Sequence, residues 1–216
     1  IAGTEATLEY LKYSRLQEGN DTLPGGYIEI YPLINVWESS VYVENTKTLE
    51  EKCGVEDTIS SFGSGTLLLD SQTGEQYVLS VEHLVLDYYY CKEDRKKIKV
   101  LKNTTTVDYF LGTELVKKDD ETDLSLFKLE RNSIWGIPYR GKIAAQVQEG
   151  DLVTGIGFPD GDNKYFISSV KEIKRYTITL DMYFEGGNSG GAVFKVKEGK
   201  LELMAVVKYH LGGITS

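Results

Sequence analysis

The sequence predicts an all-β protein, built as one large unit or as two small barrels that share a cleft. Short apolar runs recur along the chain with turn residues between them, the pattern of a barrel or sandwich. Glycine supplies 22 of the 216 residues, which suits a turn-rich architecture. A hydrophobic content of 41% is enough for a core at this length, and folds of this kind routinely run to about 200–250 residues. No repeat and no low-complexity tract interrupts the pattern.

Taken in order, residues 4–18 (TEATLEYLKYSRLQE) carry Leu8, Leu11 and Leu16 at helical spacing, with Gly19 just after. This reads as a short amphipathic helix ended by a glycine, either packed on the barrels as a cap or free as an interaction arm. Pro24-Gly25-Gly26 marks a turn, and residues 27–32 (YIEIYP) and 33–45 (LINVWESSVYVEN) begin the strands. Apolar runs at 66–69 and 77–79, joined by Ser71-Gln72-Thr73-Gly74, make a β-hairpin. Further strands are expected at 96–101 (KKIKVL), 113–116 (TELV), 124–129, 151–157 (DLVTGIG), 165–170 (YFISSV), 176–180 (YTITL), 191–196 (GAVFKV) and 201–207 (LELMAVV).

The formal net charge of −9 and a pI near 4.9 argue against nucleic acid as a partner, since phosphate binding needs a basic face. The basic run at 92–102 (KEDRKKIKVLK) reads as a solvated loop and strand edge, where lysines discourage edge pairing. No stretch approaches the roughly 18 apolar residues of a membrane span, and no charged start with an apolar core reads as a signal peptide. The compartment stays open, with an extracytoplasmic or secreted setting favoured.

One serine is fenced by glycines: in YFEGGNSGGAVF, residues 183–194, Gly186 and Gly187 precede Asn188-Ser189, and Gly190 and Gly191 follow. Glycine serves where the backbone takes positive φ or lies close to another group, so this is either an exposed nucleophile or a Gly/Asn turn between strands. A lone hydroxyl is a weak nucleophile and needs a base. The chain has two histidines, His83 and His210. His83 follows the hairpin's second strand, where a loop residue stands on a rigid scaffold. Asp123 opens the run DLSLFKL as a candidate acid or as an ordinary turn aspartate.

In order along the chain, GSG (63–65), LSVEH (79–83), DLSLFKL (123–129), EGDLVTGIGFP (149–159) and GNSGG (187–191) together resemble the trypsin-like, chymotrypsin-fold serine proteases. The likeness is nearest to the bacterial HtrA-like and staphylococcal glutamyl-endopeptidase-like branches, and it covers roughly residues 33–213. The separations of 40 residues from His83 to Asp123 and 66 from Asp123 to Ser189 suit that family.

The resemblance implies two six-stranded antiparallel β-barrels with the active site in the cleft between them. Residues 1–26 would be an N-terminal helical extension, 27–131 a first barrel carrying His83 and Asp123, and 132–216 a second carrying Ser189. It further implies that Ser189 attacks a peptide carbonyl, His83 takes and returns the proton, and Asp123 orients the imidazole. The N–H groups of Gly187 and Ser189 would form the oxyanion hole. No metal or organic cofactor is called for, and the partner is a protein or peptide substrate. An esterase is disfavoured because strand-like GGAVFKV, rather than a helix, follows Ser189.

The first specificity pocket would draw on Tyr183, Glu185, Lys208, Tyr209 and His210. A His-x-Gly-Gly at 210–213 resembles the glutamyl endopeptidases and favours acidic substrates, whereas Glu185 would attract Lys or Arg. Cys53 and Cys91 bracket the histidine hairpin, and relatives often carry a disulfide there; whether these two bridge stays open. Two departures favour an alternative, a protease-fold binding scaffold with weak or no catalysis. Glu82 stands where a small residue is usual and could compete with Asp123 for the imidazole. Only Ile214-Thr215-Ser216 follow Gly213, so the second barrel is expected to lack its last strand or to receive it from another segment or a partner.

Overall fold

The computed structural model describes residues 36–49, 58–85, 93–102, 109–119, 122–132, 136–175, 177–182 and 186–208. The expected helix at 4–18, the strand at 27–32 and both cysteines lie outside the described residues. Within them the chain is almost wholly antiparallel strand, in two sheets.

The first sheet is formed by β1 (Ser40–Leu49), β2 (Thr58–Leu69), β3 (Gln76–Val81), β4 (Glu93–Leu101), β5 (Tyr109–Asp119) and β6 (Leu124–Leu129). It closes into a barrel in the order β1-β2-β3-β6-β5-β4. The sequence reading starts its strand at 33, but residues 36–39 are helical. Ser39 Oγ donates back to the Val36 carbonyl at 2.8 Å, the local side-chain bond by which serine competes with a strand ladder. The strand therefore begins at Ser40.

The predicted hairpin forms with Leu69 opposite Gln76. Asp70 closes its turn, accepting from the Gln72 N–H at 2.8 Å through Oδ1 and from the Gly74 N–H at 2.8 Å through its carbonyl. Along β6 burial alternates, so that Ser125, Phe127 and Leu129 face inward. Phe127 joins Val41, Val43, Leu67, Val78 and Val100 in the barrel core. Fully burying a side chain of this kind stabilises by about 1.5–3 kcal/mol.

The second sheet comprises β7 (Leu152–Gly157), β8 (Lys164–Ile173), β9 (Ile178–Leu180), β10 (Ala192–Lys197) and β11 (Lys200–Val206), in the order β11-β10-β7-β8-β9. The central strand β7 is buried at every residue, Thr154 included, and carries no charged side chain. Residues 136–144 join the two sheets. The Tyr139 N–H donates to the Leu67 carbonyl at 2.8 Å on the barrel, and Leu203 of β11 exchanges bonds with Lys142 and Ala144 at 2.9 and 2.8 Å.

Among the described residues the second sheet thus has five strands and is not closed. Between β9 and β11 lies a groove of about 600 Å³, lined chiefly by apolar residues such as Ile178, Leu180, Met182 and Met204. No helix among the described residues is long and apolar enough to cross a membrane.

Candidate active site

His83 lies in a single helical turn, α1 (Glu82–Val85), directly after β3. The first N–H groups of such a turn have no partner within it and must be met from outside. Asp123 meets two of them: its carbonyl accepts from the Glu82 N–H at 2.9 Å, and its Oδ1 accepts from the His83 N–H at 2.9 Å. Its second carboxylate oxygen, Oδ2, lies 2.6 Å from His83 Nδ1. One aspartate therefore fixes both the backbone and the ring of the histidine. A carboxylate only accepts, so Nδ1 carries a proton, and in the neutral imidazole Nε2 is the nitrogen with the lone pair.

Asp123 is expected to open a strand, but it sits in the turn ahead of β6 with a φ of 59°. Aspartate tolerates this left-handed conformation better than most residues. The pair is shielded, with 10% of the Asp123 side chain and 29% of the His83 side chain exposed. Lys208 approaches the same carboxylate from the end of the second sheet, its Nζ 3.8 Å from Asp123 Oδ2. Glu82 does not face solvent; it is 2% exposed.

Ser189 belongs to the loop entering β10 and is 6% exposed. Four consecutive carbonyls of this loop are held by donors. Gly186 O accepts from the Asp160 N–H at 3.3 Å, Gly187 O from Ser64 Oγ at 2.7 Å, Asn188 O from the Gly191 N–H at 2.9 Å, and Ser189 O from the Ser64 N–H at 2.7 Å. Among the described residues, the N–H groups of Gly187 and Ser189 donate to no protein acceptor. Two free donors flanking a serine, on a backbone whose carbonyls are tied elsewhere, can stabilise a developing oxyanion.

The fencing glycines are needed for this path. Gly187 and Gly190 have φ of 93° and 89°. A Cβ on Gly187 would overlap the Phe158 carbonyl, and one on Gly190 the Ser64 carbonyl. No hydrogen bond joins the His83 ring to the Ser189 hydroxyl in this structure. Such bonds often tighten only in the substrate complex.

Of the residues singled out in the sequence, His83 and Asp123 are bonded to each other, Lys208 stands beside them, and Gly187 and Ser189 share one loop. Tyr183, Glu185, Tyr209, His210, Cys53 and Cys91 lie outside the described residues. Sequence reasoning passed over Ser64, inside the motif GSG, and the turn Pro159–Gly161, of which only Pro159 falls within EGDLVTGIGFP.

The trypsin-like peptidase domain family matches residues 63–202, which contain both the His83–Asp123 pair and Ser189. Among solved structures, the chain is similar to the serine endoprotease from Yersinia pestis at 20% identity and a TM-score of 0.58. That match covers 85% of this chain and 57% of the other, so the chain spans little more than half of the matched protein. It establishes the likeness of fold. No curated protein matches the chain. With the family match running over well more than half of its length, the chain belongs to the trypsin-like peptidase domain family.

Proposed function

We propose that the protein is a serine endopeptidase that hydrolyses peptide bonds of protein substrates through an acyl-enzyme. Ser189 is the nucleophile, His83 the general base and then general acid, and Asp123 the group that holds the imidazole tautomer. Gly187 and Ser189 supply the oxyanion donors. The observation that carries the reading is the Asp123 carboxylate 2.6 Å from His83 Nδ1, which leaves Nε2 as the acceptor a general base requires. The free N–H groups of Gly187 and Ser189 support it independently.

In the proposed sequence, proton transfer from Ser189 Oγ to His83 Nε2 accompanies attack on the scissile carbonyl. The imidazolium then protonates the leaving amine, and water repeats the cycle on the acyl-enzyme. The test is incubation of an unfolded protein substrate with wild type and Ser189→Ala. Fragments should appear with wild type alone, and equal cleavage by both would place the activity elsewhere.

A preference for acidic residues at the cleaved position rests on the His-x-Gly-Gly resemblance at 210–213, since Lys208 Nζ lies against Asp123 Oδ2 at 3.8 Å. Profiling a peptide library decides it, since strong cleavage after Lys or Arg alone would rule it out. The second reading, a binding scaffold without turnover, is favoured by the absence of a hydrogen bond between the His83 ring and the Ser189 hydroxyl. The groove between β9 and β11 is the place where a strand from another segment would complete the second barrel.

A further inference from the structure

Resting on the reading of Ser189 as nucleophile, we propose that Ser64 is a positioning residue that locks the oxyanion-binding loop through the Gly187–Asn188 peptide. Ser64 lies on β2 of the barrel and is fully buried. Its polar groups all make bonds that cross between strands or sheets. The N–H donates to Ser189 O at 2.7 Å, and the carbonyl accepts from Ser80 Oγ at 2.7 Å. The hydroxyl donates to Gly187 O at 2.7 Å while accepting from the Phe158 N–H at 2.8 Å.

One residue of the first sheet thus grips the Gly187 and Ser189 carbonyls, each on a residue that carries a candidate oxyanion donor. The grip is needed because the loop is rich in glycine. Gly187 has no side chain to bias its ψ, so sterics alone set the orientation of the Gly187–Asn188 peptide only weakly. Hydrogen bonds must select the orientation. A hydroxyl is suited to this, since it donates and accepts at once and so binds Gly187 to the Phe158–Asp160 segment. That segment holds the preceding peptide in turn, through Asp160 N–H to Gly186 O at 3.3 Å.

Removing the hydroxyl would free Gly187 O and Phe158 N–H together. The bond to Ser189 O would remain, because it comes from the Ser64 backbone. The expected result is a loop whose nucleophile stays in place while the Gly187–Asn188 peptide is free to turn, and the Gly187 N–H, on the preceding peptide, loses two supports: the held carbonyl across its own α-carbon and the anchored Phe158–Asp160 segment. This predicts a loss in kcat rather than in ground-state binding.

The test compares wild type, Ser64→Ala, Ser64→Cys and Thr154→Val. Cysteine keeps the side chain's size but donates weakly. Thr154 is a matched control, a buried hydroxyl bonded to the Phe166 carbonyl at 2.9 Å between β7 and β8. Steady-state kinetics on a peptide substrate should show kcat reduced about tenfold or more in Ser64→Ala, below the 10²–10³ cost of losing a donor outright, with KM within about twofold. Ser64→Cys should fall between, and Thr154→Val should keep its kcat. Crystal structures of the variants should show the Gly187–Asn188 peptide turned or in two orientations in Ser64→Ala or, if that variant does not fold, in Ser64→Cys.

Unchanged kcat with the peptide still in place would overturn the proposal, as would a loss of kcat equal to that of Thr154→Val. An inactive wild type would count against the peptidase reading instead. The orientation of the peptide in the variants would then decide the role of Ser64 by itself.

Discussion

Asp123 makes three bonds to two consecutive residues, and they differ in what a substitution does to them. In Asp123→Asn the amide oxygen can still accept from the His83 N–H, so the helical turn is kept. The amide NH₂ then faces Nδ1, which forces the ring proton onto Nε2 and removes the base. The predicted outcome is a fall in kcat of about 10⁴ with a nearly unchanged unfolding midpoint. A drop below about tenfold in kinetic assays would contradict the assigned role.

At this scale the sequence disclosed His83, Asp123, Ser189 and the glycines around the serine, because their chemistry and spacing are local signals. Ser64 was hidden for a physical reason. Its hydroxyl partners lie 123 and 94 positions away, and nothing in a Gly-Ser-Gly triplet indicates which groups the fold will bring to it. Glu82 was legible as a departure, but its burial depends on packing that periodicity does not reveal.

Among the elements, β7 and β10 are tied by side chains as well as by their ladder. Lys195 Nζ lies 2.8 Å from Asp151 Oδ2, which also accepts from the Gln148 N–H at 2.8 Å. Burial alone would push the Asp151 carboxyl up, but the bonds from Lys195 and Gln148 outweigh it and hold the carboxyl below its ordinary value. A carboxyl depressed in the folded state contributes stability above the unfolded-state value, near pH 4, and loses it as pH falls through the folded value.

Asp151→Asn is therefore expected to be less stable than wild type by about 1 kcal/mol or less at pH 7, with the gap closing below about pH 4. Urea midpoints measured across that range check it; a gap of constant size down to pH 2 would refute the linkage. Most strands were legible as short apolar runs bounded by turn residues, the hairpin among them. The helical turn at 36–39 was not, because one serine side-chain bond overrides an otherwise strand-like run. β5, at Tyr109–Asp119, outran the expected 113–116 at both ends: Lys117-Lys118-Asp119 carries no apolar period, and the apolar Tyr109-Phe110-Leu111 was passed over.

Across the whole molecule, His83 and Asp123 stand on a closed barrel, while the Ser189 loop belongs to the second sheet. Ser64 and residues 136–144 stitch the two together. Phe127→Ala, at a fully buried position of the barrel core, should cost about 3–5 kcal/mol in urea unfolding. Activity in that variant should follow the folded fraction rather than a change in kcat per folded molecule. A kcat change at full folding would mean that the core transmits strain to the site. The two-sheet architecture was legible through the ordered motifs, and so was a second sheet one strand short of six, which has five strands among the described residues.

The central claim, an activated Ser189, is tested most directly by labelling with a serine-reactive fluorophosphonate, read by intact mass on wild type, Ser189→Ala and His83→Ala. The account predicts one adduct on wild type, none on Ser189→Ala and slow labelling of His83→Ala. No adduct on well-folded wild type, or an adduct that survives Ser189→Ala, would contradict it.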